Sequence, residues 1–140
     1  MNLEQEKAAI LRLYAISVQG HLESDASKFL IPYAQQWHSV RDGTMTIRTK
    51  DGAFPAIEHY FKHTRFLEFD DTPPRIEVSQ DGSMAWLLGE VRVRAVQQQP
   101  DEAEHELVFR CSWIEIYEKQ EAGWAVVVNA STLHFPTDGT

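Results

Sequence analysis

The chain has a single cysteine, Cys111, in 140 residues. That excludes an internal disulfide and a cysteine-based zinc knuckle, and it fits a reducing cytoplasm. No apolar run approaches the roughly 18 residues that span a bilayer. No stretch is rich in Lys and Arg; 13 of these stand against 21 Asp and Glu, for a net charge of -8. Such an acidic chain repels nucleic acid and anionic membranes. The opening "MNLEQEKAAILRLY" is charged and helix-periodic, unlike a secretory leader. P-loop, GxGxxG and Ser-His-Asp patterns are all missing, so the sequence offers no nucleotide cradle and no nucleophilic triad. There is no internal repeat, and low complexity is confined to "QQQP".

What is present describes a folded protein. Apolar residues make up 43% of the chain and aromatic residues 11%, enough for one domain over residues 1–140 with its own core. Leu3, Ile10, Leu11, Tyr14, Val18 and Leu22 share a helical face. Gly20 loosens the end of that helix, and Asp25 caps a shorter one reaching towards Leu30. "WHSVRDGTMTIRT" reads as a hairpin around Asp42-Gly43, because both turn positions tolerate positive φ. "DGAFPAIEHYFKHTRF" returns to the helical period, with Phe54, Ile57 and Phe61 on one face. "RIEVS" and "SMAWLLGEVRVRAV" form a second hairpin across Asp81-Gly82. After the polar loop "QQQPDEAE", two long strands are joined at "KQEAG". Helices come first and a long meander last. The fold class is therefore α+β, with helices packed on one face of a curved antiparallel sheet.

These pieces, taken in order, resemble the NTF2-like superfamily in its SnoaL-like or ketosteroid isomerase-like branch. The resemblance rests on the amphipathic first helix, "SDASKF" followed by "WHSVRDG", the helix "DGAFPAIEHYF", and the closing strands "VSQDGSMAWLLGEVRVR" and "FRCSWIEIYEKQEAGWAVVVNAST". It covers nearly the whole chain. It implies a cystatin-like, cone-shaped sheet with helices on its concave face, a mostly apolar pocket, and a dimer through the outer sheet face. The same fold hosts isomerases, cyclases, dehydratases and scaffolds, so it does not name a reaction.

Strand alternation sorts the second half of the chain into two faces. Met84, Trp86, Leu88, Glu90, Arg92 and Arg94 oppose Ala85, Leu87, Gly89, Val91, Val93 and Ala95. Val108, Arg110, Ser112, Ile114 and Ile116 oppose Phe109, Cys111, Trp113, Glu115 and Tyr117. In the last strand Val127, Asn129 and Ser131 oppose Val126, Val128 and Ala130. Both faces are largely apolar, so alternation alone does not say which one points inward.

The pocket-lining candidates are Tyr14, Trp37, Arg110, Trp113 and Asn129. Arg110, set between Phe109 and Cys111, is expected to be partly buried. It is either a cation for a ligand or one half of an ion pair with Glu90 or Glu106. Asn129 either donates to a ligand carbonyl or makes a cross-strand bond. Tyr14 is either an oxyanion donor or core packing. Asp25 and Asp42 are a cap and a turn former, and Glu90 shares its face with two arginines, so no acid stands out as a base. His59 and His63 have the i, i+4 spacing of a metal pair, but they oppose the apolar face and no HExxH glutamate accompanies them. Neither a metal nor a cofactor is implied.

Two functions from different classes follow. One is a pocket protein for a small apolar or amphipathic molecule, acting on it by acid-base chemistry if it is an enzyme at all. The other is a non-catalytic dimerisation or association domain. A homodimer is expected in either case.

Overall fold

The computed structural model describes residues 2–136. The elements run α1 (Leu3–Leu22), α2 (Ala26–Leu30), β1 (Tyr33–Arg41), β2 (Thr44–Thr49), α3 (Lys50–Lys62), β3 (Thr64–Asp71), β4 (Arg75–Val78), β5 (Met84–Gln97), β6 (His105–Gln120) and β7 (Gly123–His134).

Side-chain caps start the helices. Asn2 Oδ1 accepts from the Glu4 amide at 3.0 Å, Asp25 Oδ1 from Lys28 at 3.1 Å, and Thr49 Oγ1 from Gly52 at 3.0 Å. Gly20 does more than loosen a helix end. A methyl group there would lie under 3.0 Å from the Phe29 backbone, so this glycine lets α1 and α2 touch. The β1–β2 turn has Asp42 and Gly43 both at positive φ, as a tight hairpin turn requires.

One seven-stranded sheet has the order β2-β1-β7-β6-β5-β3, with β4 also pairing β5. All its pairings are antiparallel except β1 with β7. The sheet curves without closing, and the helices lie on its concave side. Ile10 and Tyr14 of α1, Leu30 of α2 and Ala53 of α3 pack there against Leu87, Tyr117, Trp124 and Val126. No helix among the described residues is long and apolar enough to cross a membrane.

Three local departures from the sequence-based expectation have clear causes. The helix expected to run on through Phe66 stops at Lys62, and β3 follows at once. In β3 the register against β5 slips between Phe66 and Glu68. That extra residue hides the strand's two-residue period. A second bulge sits in β7, where Tyr117 pairs Val126 but Ile116 pairs Val128. Val127 is the extra residue, so Val126 faces the core together with Asn129 and Ser131 rather than opposite them.

Candidate functional site

Register lays out the concave wall in rows. Leu87, Glu115, Asn129 and Ser39 are successive cross-strand partners over β5, β6, β7 and β1. The next row is Gly89, Trp113 and Ser131, and the one after is Val91, Cys111 and Leu133. Between this wall and the helices lies a cavity of about 610 Å³. Its lining is mostly aromatic and aliphatic, the usual character of a small-molecule site.

The structure brings Tyr14, Trp37, Trp113 and Asn129 together on this cavity. Tyr14 stacks on Trp113 with ring centroids 6.4 Å apart, while its hydroxyl donates to Asp71 Oδ2 at 2.9 Å. Burial and the Asp71 carboxylate both hold the Tyr14 phenol well above its ordinary range. Its proton is committed to Asp71 rather than aimed into the cavity. Trp37 is buried and lies 4.6 Å from the Tyr33 ring. Asn129 Nδ2 reaches Tyr33 Oη at 3.5 Å.

Arg110 is elsewhere, which corrects the expectation of a buried guanidinium. It is exposed on the outer face, opposite Arg92 on β5 and His134 on β7. Its neighbours Phe109 and Cys111 face inward because successive strand residues point to opposite sides. Glu106, one proposed partner, instead bonds Arg94 at 3.1 Å. His59 and His63 stack on each other 4.1 Å apart at the outside of α3, and the described residues hold no group of three metal-ligating side chains.

The residue that sequence reasoning missed is Glu115. Its carboxylate is buried on the cavity wall. Tyr117 Oη donates to Oε1 at 3.2 Å and Tyr33 Oη to Oε2 at 3.4 Å. Burial, which disfavours the ionised form, dominates and raises its pKa above the usual carboxylate range. The hydroxyls of Tyr117 and Tyr33, with the Trp113 indole and the Asn129 amide at longer range, oppose that rise only in part. The same burial and the charge on Glu115 push the phenols of Tyr33 and Tyr117 upward. The signal was present in the sequence. Glu115 alternates with Trp113 and Tyr117 on the face that turned out to be inward.

His21 was missed as well. It is packed among Phe29, Tyr60, Phe61, Phe66 and Phe69, all with centroids within 6.0 Å. Desolvation lowers its pKa to about 4, so at neutral pH it is an uncharged imidazole on the cavity wall. Two oppositely disposed groups thus face one apolar space: an acid held towards its protonated form and a base held in its neutral form.

The sequence matches no protein-family model and no curated protein. Solved structures match it over nearly its whole length. A conserved protein from Planctomyces limnophilus superposes with a TM-score of 0.73 at 14% identity, over 95% of this chain and 99% of that one. Hexachlorocyclohexane dehydrochlorinase LinA-type3 from Novosphingobium barchaimii gives 0.70 at 17% identity, over 96% and 91%. A ketosteroid isomerase-like protein from Erwinia carotovora atroseptica gives 0.69 at 12% identity, over 92% and 96%. The chain has the NTF2-like fold, a class of helix-backed curved sheets that includes enzymes. At these identities the likeness establishes the fold and leaves the reaction to the residues of the cavity.

Proposed function

We propose that this protein binds a small apolar or amphipathic molecule in the aromatic cavity and transfers a proton on it, with Glu115 as the acid-base group. The observation that carries this reading is the buried carboxylate itself. A carboxyl whose pKa is raised by burial, hydrogen-bonded but facing an apolar cavity, is a stronger base than an exposed one and is suited to give and take protons. In such a reaction the Glu115 carboxylate takes a proton from a carbon next to a carbonyl and returns it elsewhere on the same molecule. One of the matched structures named for its reaction, a dehydrochlorinase, makes a catalytic role on this fold reasonable without naming the substrate here.

The association-domain reading is supported by a different face. Met45, Val40, Ala130, Ile114 and Leu88 form one row of cross-strand neighbours on the outer side of the sheet. Ile47, His38, Val128, Ile116 and Trp86 form the next. An apolar face of this extent asks for a cover, and a second copy of the chain is the simplest one. Dimerisation and a working cavity occupy opposite faces, so they are compatible. The cavity is well above the roughly 300 Å³ at which ligand sites begin. Trp37 and Trp113 stand in its wall without filling it, which favours the pocket reading. A reducing cytoplasm suits the free, half-buried thiol of Cys111.

The test is proton exchange in heavy water. 2-Tetralone, an apolar bicyclic ketone with acidic α-protons, is incubated with the protein and followed by proton NMR. Accelerated loss of the α-proton signal, abolished in Glu115→Gln, is the expected result. No acceleration over buffer overturns the acid-base role and leaves a binding protein.

A further inference from the structure

The cavity wall holds a charge that nothing among the described residues answers. Arg48 stands opposite Trp37 across the β1–β2 ladder, its guanidinium carbon 6.0 Å from the Trp37 ring centroid. It is half-buried and lines the cavity. Among the described residues it makes neither an ion pair nor a hydrogen bond. Arg12, Lys62, Arg65, Arg75, Arg92 and Arg110 also make no ion pair among the described residues, but all six are exposed to water, whereas Arg48 is half-buried. A second cation, the exposed Arg41, borders the same wall, and among the described residues its one ion pair is with its exposed sequence neighbour Asp42, at 3.9 Å.

This placement runs against the composition. Acids outnumber cations 21 to 13 in the chain, yet the cavity lining carries two arginines and one carboxyl, Glu115. Even with that carboxyl ionised, two arginines against one acid leave the lining with an excess of positive charge. A guanidinium stays protonated at any pH the fold survives. Its place over the Trp37 ring satisfies none of its five N–H donors. Those donors match a carboxylate two at a time. Ser39 and Asn129, cross-strand partners in the adjoining row, supply uncharged polar groups between Arg48 and Glu115.

We propose that the ligand of this cavity carries a carboxylate on an apolar body, and that Arg48, with Arg41 as second donor, receives that carboxylate. The idea rests on the pocket reading above and narrows it to a class of molecule. The apolar body lies along the aromatic wall, which leaves the Arg48 end as the reader of charge and Glu115 as the reacting group.

The experiment uses two matched pairs, 4-phenylbutyrate with 4-phenylbutanamide and 2-naphthoate with 2-naphthamide, titrated calorimetrically into the wild-type protein and into Arg48→Met. The wild type is expected to bind each acid about tenfold or more tighter than its amide, the worth of one charge-assisted hydrogen bond. Arg48→Met should bring the acids down to the level of the amides and leave the amides unchanged; Arg48→Lys should restore part of the preference. Equal affinity for acid and amide in the wild type, or equal weakening of both in Arg48→Met, overturns the proposal while leaving the pocket intact. Binding of none of the four probes at millimolar concentration overturns the pocket reading and this proposal with it.

Discussion

Gly89 and Trp113 face each other across the β5–β6 ladder, and the indole occupies the space a side chain at 89 would need. Three atoms of the Trp113 ring would lie under 3.0 Å from a methyl group there. The glycine is what allows Trp113 to lie flat in the cavity wall and stack on Tyr14. Gly89→Ala is therefore expected to lose about 1–3 kcal/mol through overpacking, read by urea unfolding. Trp113→Leu in the same chain should recover part of that loss, because the two residues compete for one space. Additive losses in the double variant would show that the indole does not depend on Gly89.

Much of this wall was legible in the sequence, and what was not has physical reasons. The alternation of Ala85, Leu87, Gly89, Val91, Val93 and Ala95 is the inward face of β5, and the two Asp-Gly turns sit where their residue types demand. Which face was inward could not be read, because the outer rows through Leu88 and Ile114 are as apolar as the inner ones. That ambiguity hid Glu115 and promoted Arg110, two residues of one strand with opposite parity. The bulges at Leu67 and Val127 were invisible for the same kind of reason: a single inserted residue reverses every assignment beyond it. His21 fell on a helix whose apolar stripe already accounted for itself, and only the tertiary fold surrounds it with five aromatic rings.

Glu115 makes stability depend on pH with a definite sign. Its folded pKa is raised, so its favourable contribution is complete below the unfolded value of about 4.3 and is lost as pH rises through the folded pKa. Glu115→Gln keeps the shape and removes the ionisation. The variant should be more stable than the wild type at pH 8, and the gap should close by pH 4. Thermal melts at a series of pH values check this, and a gap that widens on acidification would contradict the burial argument.

His21 has the opposite sign. Its folded pKa of about 4 lies below the ordinary 6.5, so its contribution is present above pH 6.5 and is lost as pH falls through 4. The span corresponds to about 3 kcal/mol. Five aromatic rings pack about the imidazole, and burial is what lowers its pKa. His21→Leu should flatten the stability profile between pH 6.5 and 4 relative to the wild type. An unchanged slope in chemical unfolding would place the titration on another group.

Arg110 stands beside Arg92, with His134 on its other side. Three basic side chains in one exposed row gain nothing from one another. Arg110→Met is expected to change unfolding free energy by no more than about 0.5 kcal/mol, as exposed substitutions away from special features do. It should also leave acid and amide binding in the cavity alone, since its side chain lies on the other side of the sheet. A loss of acid binding in this variant would mean that the charge-reading residue is here and not Arg48.

The outer rows make the oligomer testable at a single position. Ile114 lies between Ala130 and Leu88 in the row that starts at Met45 and Val40. Met45 is 83% exposed, a poor place for a long apolar side chain unless something covers it. Two chains pressed face to face would bury both rows without touching the cavity. Light scattering should find twice the 16.1 kDa of one chain for the wild type. Ile114→Arg sets a guanidinium on each chain within that apolar row, where the surrounding side chains give no compensation. That variant should run as a single chain while still binding the neutral amide probes, because β6 presents residue 114 outward and Trp113 and Glu115 inward. A wild type that is already monomeric at micromolar concentration would leave the outer face uncovered and remove the dimer from the account. An Ile114→Arg dimer as tight as the wild type would place the contact on another surface.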